Sequence, residues 1–195
     1  LGNATVTNAD AIKLVAGAGT VGTLNASGFK TGSVDAGSAK TVVVDGSTTN
    51  SNNESITVTV GDAATSVTVG TTNGFKAATI NAGKATTIAI ADAGNTTDTT
   101  ALTVNANATI TNTGTGALTL TASDTNKISL SAIGASLTVK GTGAVEITAN
   151  NALNGETVTN SMAAGSTLTL KDSAAGVLNL AKVQATTIEL TGVKA

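Results

Sequence analysis

Apolar residues recur at every second position along almost the whole chain. In one such segment, Ile56, Val58 and Val60 are separated by Thr57 and Thr59. Because successive side chains of a β-strand point to opposite faces of a sheet, this period predicts short strands with one apolar and one polar face. Further strands of this kind are predicted at Val42/Val44, Val67/Val69, Ile88/Ile90, Leu102/Val104, Leu118/Leu120, Ile128/Leu130, Leu137/Val139, Val145/Ile147, Leu168/Leu170, Leu178/Leu180 and Ile188/Leu190. No segment sustains the 3.6-residue period of an amphipathic helix, so the chain is predicted to be all-β.

An internal repeat distinguishes between all-β architectures. Segment 28–46 resembles segment 74–92 at an offset of 46 residues. Gly28-Phe29-Lys30 returns as Gly74-Phe75-Lys76, so both phenylalanines of the chain fall at one repeat position. This offset predicts a β-solenoid, a parallel β-helix in which two stacked coils of about 23 residues make up each repeat.

We expect residues 1–195 to form one continuous β-rich repetitive segment. The repeat fades near residues 93–100, where a polar run predicts an inserted loop. Because the sequence begins with Leu1 rather than Met, we expect it to be a fragment of a larger protein. The alternative architecture is a set of tandem β-sandwich modules, since Asn73-Gly74 and Asn154-Gly155 are typical of hairpin turns.

The composition argues against several classes of function. The chain has no His and no Cys, so Ser and Cys nucleophiles lack their customary partners, and thiolate metal sites and disulfides are excluded. Ten basic residues, all lysine, stand against twelve acidic ones, and they form no basic stripe for nucleic acid. Apolar stretches such as residues 14–16 are far too short to cross a bilayer. We therefore expect a protein that is not an enzyme, binds no nucleic acid and does not insert into membranes.

Two motifs resemble catalytic or cofactor sites but have simpler interpretations. Residues 17–22 match G-x-G-x-x-G, yet the dinucleotide fingerprint needs a helix to follow, and residues 23–28 are poor helix formers. We interpret this segment as a glycine-rich turn. Glu146 and Glu156 form the one notable carboxylate pair, but Glu146 falls on the outward face of a predicted strand. We interpret both as solvated surface carboxylates rather than a hydrolytic pair.

A polar run near the middle of the chain is the candidate metal site. Asp92, Asn95 and Asp98 place three oxygen-bearing side chains within seven residues. Hard cations such as Ca²⁺ bind carboxylate and amide oxygens in turns of this kind. The run matches neither EF-hand spacing nor the calcium-binding nonapeptide of β-rolls, so a plain polar loop is the alternative.

The strands share a texture of Thr, Ala, Gly and Asn. It is most typical in Ala77-Ala78-Thr79-Ile80-Asn81-Ala82-Gly83-Lys84, Gly116-Ala117-Leu118-Thr119-Leu120-Thr121 and Thr187-Ile188-Glu189-Leu190-Thr191-Gly192-Val193-Lys194. In this texture the whole chain resembles the S-layer proteins of Gram-negative bacteria, especially Campylobacter-type surface-array proteins. The resemblance implies a coat protein that is exported without a cleaved N-terminal signal, folds outside the cell, often with calcium, and tiles into a two-dimensional lattice.

These observations together predict a structural segment of a secreted, self-assembling coat on the bacterial cell surface. Its expected partners are copies of itself, with a cell-surface polysaccharide bound through other regions. The alternative is the stalk or passenger segment of a bacterial adhesin, because large repetitive adhesins share the same texture. Regular tiling on cells would favour the coat, whereas single fibres or receptor binding would favour the adhesin.

Overall fold

Eighteen β-strands and no helix make up the described part of the chain. The structure is a computed structural model that describes residues 4–7, 10–16, 22–48, 53–123, 125–149, 153–173 and 179–191. The strands are β1 (Ala4–Thr7), β2 (Ala11–Val15), β3 (Thr23–Phe29), β4 (Thr31–Asp35), β5 (Thr41–Gly46), β6 (Ser55–Thr59), β7 (Ser66–Val69), β8 (Ala77–Asn81), β9 (Thr87–Ile90), β10 (Thr99–Val104), β11 (Ala108–Asn112), β12 (Ala117–Ser123), β13 (Lys127–Leu130), β14 (Ser136–Thr142), β15 (Ala144–Thr148), β16 (Val158–Met162), β17 (Thr167–Ser173) and β18 (Thr187–Thr191).

The chain passes alternately between two parallel sheets. Sheet A has ten strands in the order β1-β3-β5-β7-β9-β11-β13-β15-β17-β18, and sheet B has eight in the order β16-β14-β12-β10-β8-β6-β4-β2. From β1 to β17, successive strands belong to opposite sheets, which is the predicted β-solenoid. The sandwich alternative is wrong, because all strand pairs of the described residues are parallel and Asn73-Gly74 and Asn154-Gly155 connect strands of opposite sheets, so they turn no hairpin.

The register of the strands explains the internal repeat. Val42 pairs with Val67, and Val67 pairs in turn with Ile88, so two coils together span the offset of the sequence repeat. Phe29 pairs with Gly46, and Phe75 forms the corresponding parallel bridge to Asp92. The two phenylalanines therefore occupy equivalent positions two coils apart, as the repeat predicts.

The core is a narrow apolar layer between the two sheets. Along β9 and β17, the alternate residues Ile88, Ile90, Leu168 and Leu170 are fully buried, while the intervening residues face outward. Burial of Val, Ile and Leu side chains stabilises the fold by roughly 1.5–3 kcal/mol each. Because these side chains are small, the two sheets close over them without the large aromatic residues of an ordinary globular core.

Two local predictions differ from the structure. The segment 93–100 is predicted as an inserted loop. In the structure, residues 93–98 lie in the connection between β9 and β10, and Thr99 and Thr100 begin β10. The coil through it is as long as the coil before it, since Ala77 pairs with Thr99 just as Ser55 pairs with Ala77. The strand predicted at Leu178/Leu180 is also not formed at Leu180, while Leu178 lies outside the described residues. Val183 makes a single parallel bridge to Val158 there instead.

The terminal coils bury their core-facing side chains less completely than the central ones. Ile12 and Leu14 in β2 are half-buried, as is Ile188 in β18, whereas the equivalent residues of central strands are buried. Each terminal strand has a neighbour on one side only, which accounts for the exposure.

Candidate interaction surfaces

The glycine-rich motif of residues 17–22 is followed by a strand. Residues 17–21 lie outside the described residues, Gly22 forms a bend, and β3 begins at Thr23. A dinucleotide site needs the N-terminus of a helix at this point to receive the pyrophosphate. The strand that follows the motif is not the helix that such a site requires, while the predicted turn itself falls on residues outside the described ones.

Glu146 and Glu156 are not brought together. Glu146 lies on the outward side of β15, where its carboxylate contacts Lys171 Nζ at 2.9 Å. Glu156 lies in the connection between β15 and β16 and lines a different surface depression, of about 530 Å³, beside Gly134 and Ser131. Since the two carboxylates line separate depressions, they do not form the facing pair that glycoside hydrolysis uses.

The predicted calcium ligands lie in the corner between β9 and β10. Asp92 Oδ1 accepts a hydrogen bond from the Gly94 amide at 2.8 Å, and its Oδ2 accepts one from Gly116 of the next coil at 2.6 Å. Asp98 is buried, and its Oδ2 accepts the Asn95 amide at 2.9 Å. The carboxylates thus fix the corner by receiving backbone N–H groups. The calcium site stays a prediction, and metal binding there would compete with these hydrogen bonds.

Ion pairs connect neighbouring coils along the outside of the solenoid. Each of these pairs joins residues about one coil apart in sequence: Lys30–Asp10, Lys76–Glu54, Lys84–Asp62, Lys171–Glu146 and Lys171–Glu189. Lys171 is the centre of the one triad in this set, because Glu146 and Glu189 lie on the coils to either side of it. Hydrogen bonds to Glu146 first, and to Glu189 second, raise the pKa of Lys171 above its ordinary value.

A shallow polar groove lies on the outward side of sheet A. It encloses about 400 Å³ and is lined by the hydroxyls of Thr109, Ser129 and Thr148 together with Lys127 and Glu146. The three hydroxyl residues follow one another in register across β11, β13 and β15. Such a groove can donate and accept hydrogen bonds to a polar ligand, but it offers no aromatic ring for stacking.

Two columns of outward residues run across all eight strands of sheet B, and we refer to them together as the threonine face. The middle column consists of Lys13, Ser33, Thr57, Thr79, Ala101, Thr119, Thr138 and Thr159. The second column consists of Val15, Asp35, Thr59, Asn81, Thr103, Thr121, Lys140 and Ser161. The register of sheet B runs through all eight strands without a bulge, so each column is continuous.

Sequence reasoning missed both the threonine face and the Lys171 triad. The alternation alone identifies which residues of one strand face outward, but it does not say which residues of other strands lie beside them. That information lies in the coil lengths, which are unequal: the coil from Thr23 to its partner Thr41 is shorter than the coil from Thr41 to its partner Ser66. Only the repeated part of the sequence indicates which residues of different coils lie in equivalent positions.

Within the described ranges, no three His, Cys, Asp or Glu side chains converge to hold a metal ion. The same ranges contain no helix of the length and apolar character that would span a membrane. No protein-family model, curated protein or solved structure matches the chain.

Proposed function

We propose that this chain is a structural segment of a secreted, self-assembling surface coat of the S-layer kind. The observation that carries the proposal is the uninterrupted stacking of coils, with one core and two ladders running the length of the described chain. Ten strands of sheet A at a spacing of about 4.8 Å give a rod roughly 43 Å long. A rod of this kind serves as a spacer and a contact surface, for which no reactive side chain is required.

The outer surface supports the same proposal. Outward positions are mostly Thr, Ser, Asn and Ala, and the exposed charges that pair do so with the neighbouring coil. A surface with so few charged residues opposes the approach of identical copies only weakly. Location outside the bacterial cell, and anchoring to a surface polysaccharide through other regions, belong to the proposal as expectations from the resemblance.

Electron microscopy of the purified protein tests the proposal. We expect ordered two-dimensional arrays to form on a lipid or carbon support, with a lattice repeat visible in the Fourier transform. Single unbranched fibres, or a dispersed protein that binds a host receptor, would instead favour the adhesin stalk. A hydrolytic activity that is lost in Glu146→Gln or Glu156→Gln would contradict a purely structural role.

A further inference from the structure

Two opposite charges lie far apart in one column of the threonine face. Asp35 on β4 and Lys140 on β14 both belong to the second column, and the four residues between them are uncharged. The midpoint between the two charges falls between β8 and β10. The same point is the centre of the eight-stranded sheet, whose order is β16-β14-β12-β10-β8-β6-β4-β2.

A two-fold axis through this point, parallel to the strands, makes the face complementary to itself. Such an axis turns the solenoid direction around but keeps each residue in its own column. It therefore places β4 of one copy over β14 of the other, so that Asp35 meets Lys140 twice. A contact in which residue i touches j while j touches i is the isologous interface of a two-fold dimer.

The uncharged residues also match under this rotation. Strands β8 and β10 lie over each other, as do β6 and β12, so Ala101 meets Thr79 and Thr57 meets Thr119. The one alanine in either column thus lies against a larger side chain rather than against itself. Lys13 on β2 meets Thr159 on β16, and no like charges are brought together.

Asp35 and Lys140 are available for such a contact. Both are exposed, and neither joins an ion pair among the described residues, unlike the pairs that connect coils elsewhere. Asp35 Oδ1 accepts the Gly37 amide at 3.1 Å, which holds the carboxylate at the end of β4. The carboxylate is thereby oriented while its charge stays uncompensated.

The outward side of sheet B, of which the threonine face is the central part, is large enough for a specific contact. Eight strands at about 4.8 Å and five residues at about 3.3 Å cover roughly 600 Å² on each copy. Two copies would then bury about 1,200 Å², which is the lower end of the range of specific protein interfaces. Full overlap of the two sheets occurs only when the two-fold axis passes through the sheet centre, which is where the charges place it.

We propose that two copies of this chain dock through their threonine faces as an isologous dimer with antiparallel solenoid axes, Asp35 of each copy opposite Lys140 of the other. The inference deepens the proposed function and rests on it for its biological setting, because it names one contact of the coat. The partner is a second copy of the same chain, and the contact is of polar side chains with one ion pair at each end.

Charge reversal tests the pairing by sedimentation equilibrium over a concentration series. We expect Asp35→Lys and Lys140→Asp each to raise the dimer Kd by roughly tenfold or more, because each creates two like-charge contacts. The double variant Asp35→Lys/Lys140→Asp should dimerise as the wild type does. An equimolar mixture of the two single variants should form a heterodimer, since every ion pair is then restored. This rescue also shows that both variants are folded.

A steric variant tests the face with a matched control. Thr79→Arg places a large charged group at the centre of the threonine face, whereas Thr111→Arg places it on the outward side of sheet A. Both threonines are exposed, so both variants should fold, but only Thr79→Arg should abolish the dimer. A monomeric wild type, unchanged dimers in Thr79→Arg, or the absence of charge rescue would each overturn the inference.

The two proposals fail in distinguishable ways. A dimer with the expected charge rescue that never forms arrays would overturn the coat function and leave the interface intact. Arrays that persist unchanged in Thr79→Arg would overturn this interface and leave the coat function intact.

Discussion

Phe29 and Phe75 are the only aromatic residues in a core otherwise built from aliphatic side chains. The register partner of Phe29 on the neighbouring strand is Gly46. A Cβ on Gly46 would lie 2.2 Å from the side-chain nitrogen of Asn53, which is itself fully buried. The glycine beside the ring therefore leaves the space that the Asn53 side chain occupies.

Removal of one ring should destabilise the solenoid strongly. We expect Phe75→Ala to lower the free energy of unfolding by about 3–5 kcal/mol, because the ring is fully buried and a narrow core cannot close over the cavity. Urea unfolding followed by circular dichroism measures the loss. The exposed Thr86→Ala serves as control and should change the free energy by less than about 0.5 kcal/mol. A loss of less than about 0.5 kcal/mol in Phe75→Ala would contradict the burial of the ring in the core.

Asp92 allows a test of the calcium prediction. Since both of its oxygens accept backbone amides, we expect the Tm to be the same in calcium and in a strong chelator. Asp92→Asn keeps one oxygen acceptor but exchanges the other for a donor, so it should lower the Tm in both conditions. Differential scanning calorimetry measures both effects. A calcium-dependent rise of Tm in the wild type that is lost in Asp92→Asn would establish the ion site instead.

At the scale of the strands, the period of two predicted the elements well, because alternate burial is a local property of each strand. Ile88 and Ile90 show it, since their burial depends only on the direction of β9. The pairing of strands is not a local property, because alternating apolar and polar residues are compatible with both parallel and antiparallel neighbouring strands. The choice of a solenoid depended on Phe29 and Phe75 falling at one repeat position, and the structure confirms it. Leu180 shows the limit, because its apolar spacing resembles a strand while the connection to β18 forms a turn.

The predicted calcium ligands show the same limit. Asp92, Asn95 and Asp98 do share one corner, as their closeness in sequence requires. Their hydrogen-bond partners could not be read from the sequence, because Gly116 comes from the following coil. The threonine face could not be predicted from the sequence either, because its columns depend on which residues of neighbouring strands pair with one another.

The Lys171 triad predicts an alkaline dependence of stability. The hydrogen bonds to Glu146 and Glu189 raise the pKa of Lys171 above 10.5. A cation whose pKa is raised by folding contributes its full stabilisation below the unfolded pKa and loses it as pH rises through the folded value. We therefore expect the stability difference between wild type and Lys171→Met to be constant near neutral pH and to shrink above about pH 10.5.

Urea titrations at a series of pH values measure this difference. The matched control is Lys40→Met, because Lys40 is exposed and makes no ion pair in the described ranges. The stability difference between Lys40→Met and the wild type should not show the same decrease at alkaline pH. A Lys171→Met difference that is independent of pH would contradict the triad.

At the scale of the whole molecule, the stacked coils make stability nearly a sum over neighbours. Ser66 pairs with Thr87, so residues 66–86 make up one complete coil. Deletion of this coil should therefore bring β9 beside β5 and β10 beside β6 with every side chain on its proper face. We expect a folded, shorter protein with a cooperative unfolding transition and a β-sheet circular dichroism spectrum.

A deletion one residue shorter provides the control. Removal of residues 66–85 would place Thr87 at the inward position of Val67 and turn the following apolar residues outward. The apolar residues can stay inward only if the corner before β9 loops out one residue, so we expect this variant to be less stable than the full-coil deletion. Equal stability of the two deletions would mean that the corner absorbs the extra residue without cost.

The unequal length of the connections has a consequence for how such a protein changes over generations. One residue joins β3 to β4, whereas eight join β5 to β6, and yet Val34 still pairs with Val58 and Val42 with Val67. Lengthening a connection costs little free energy, since the closure entropy grows only with the logarithm of its length. Mutation can therefore add or exchange residues at the corners without altering the scaffold. Foreign peptides grafted between β5 and β6 would be displayed at a fixed height along the rod.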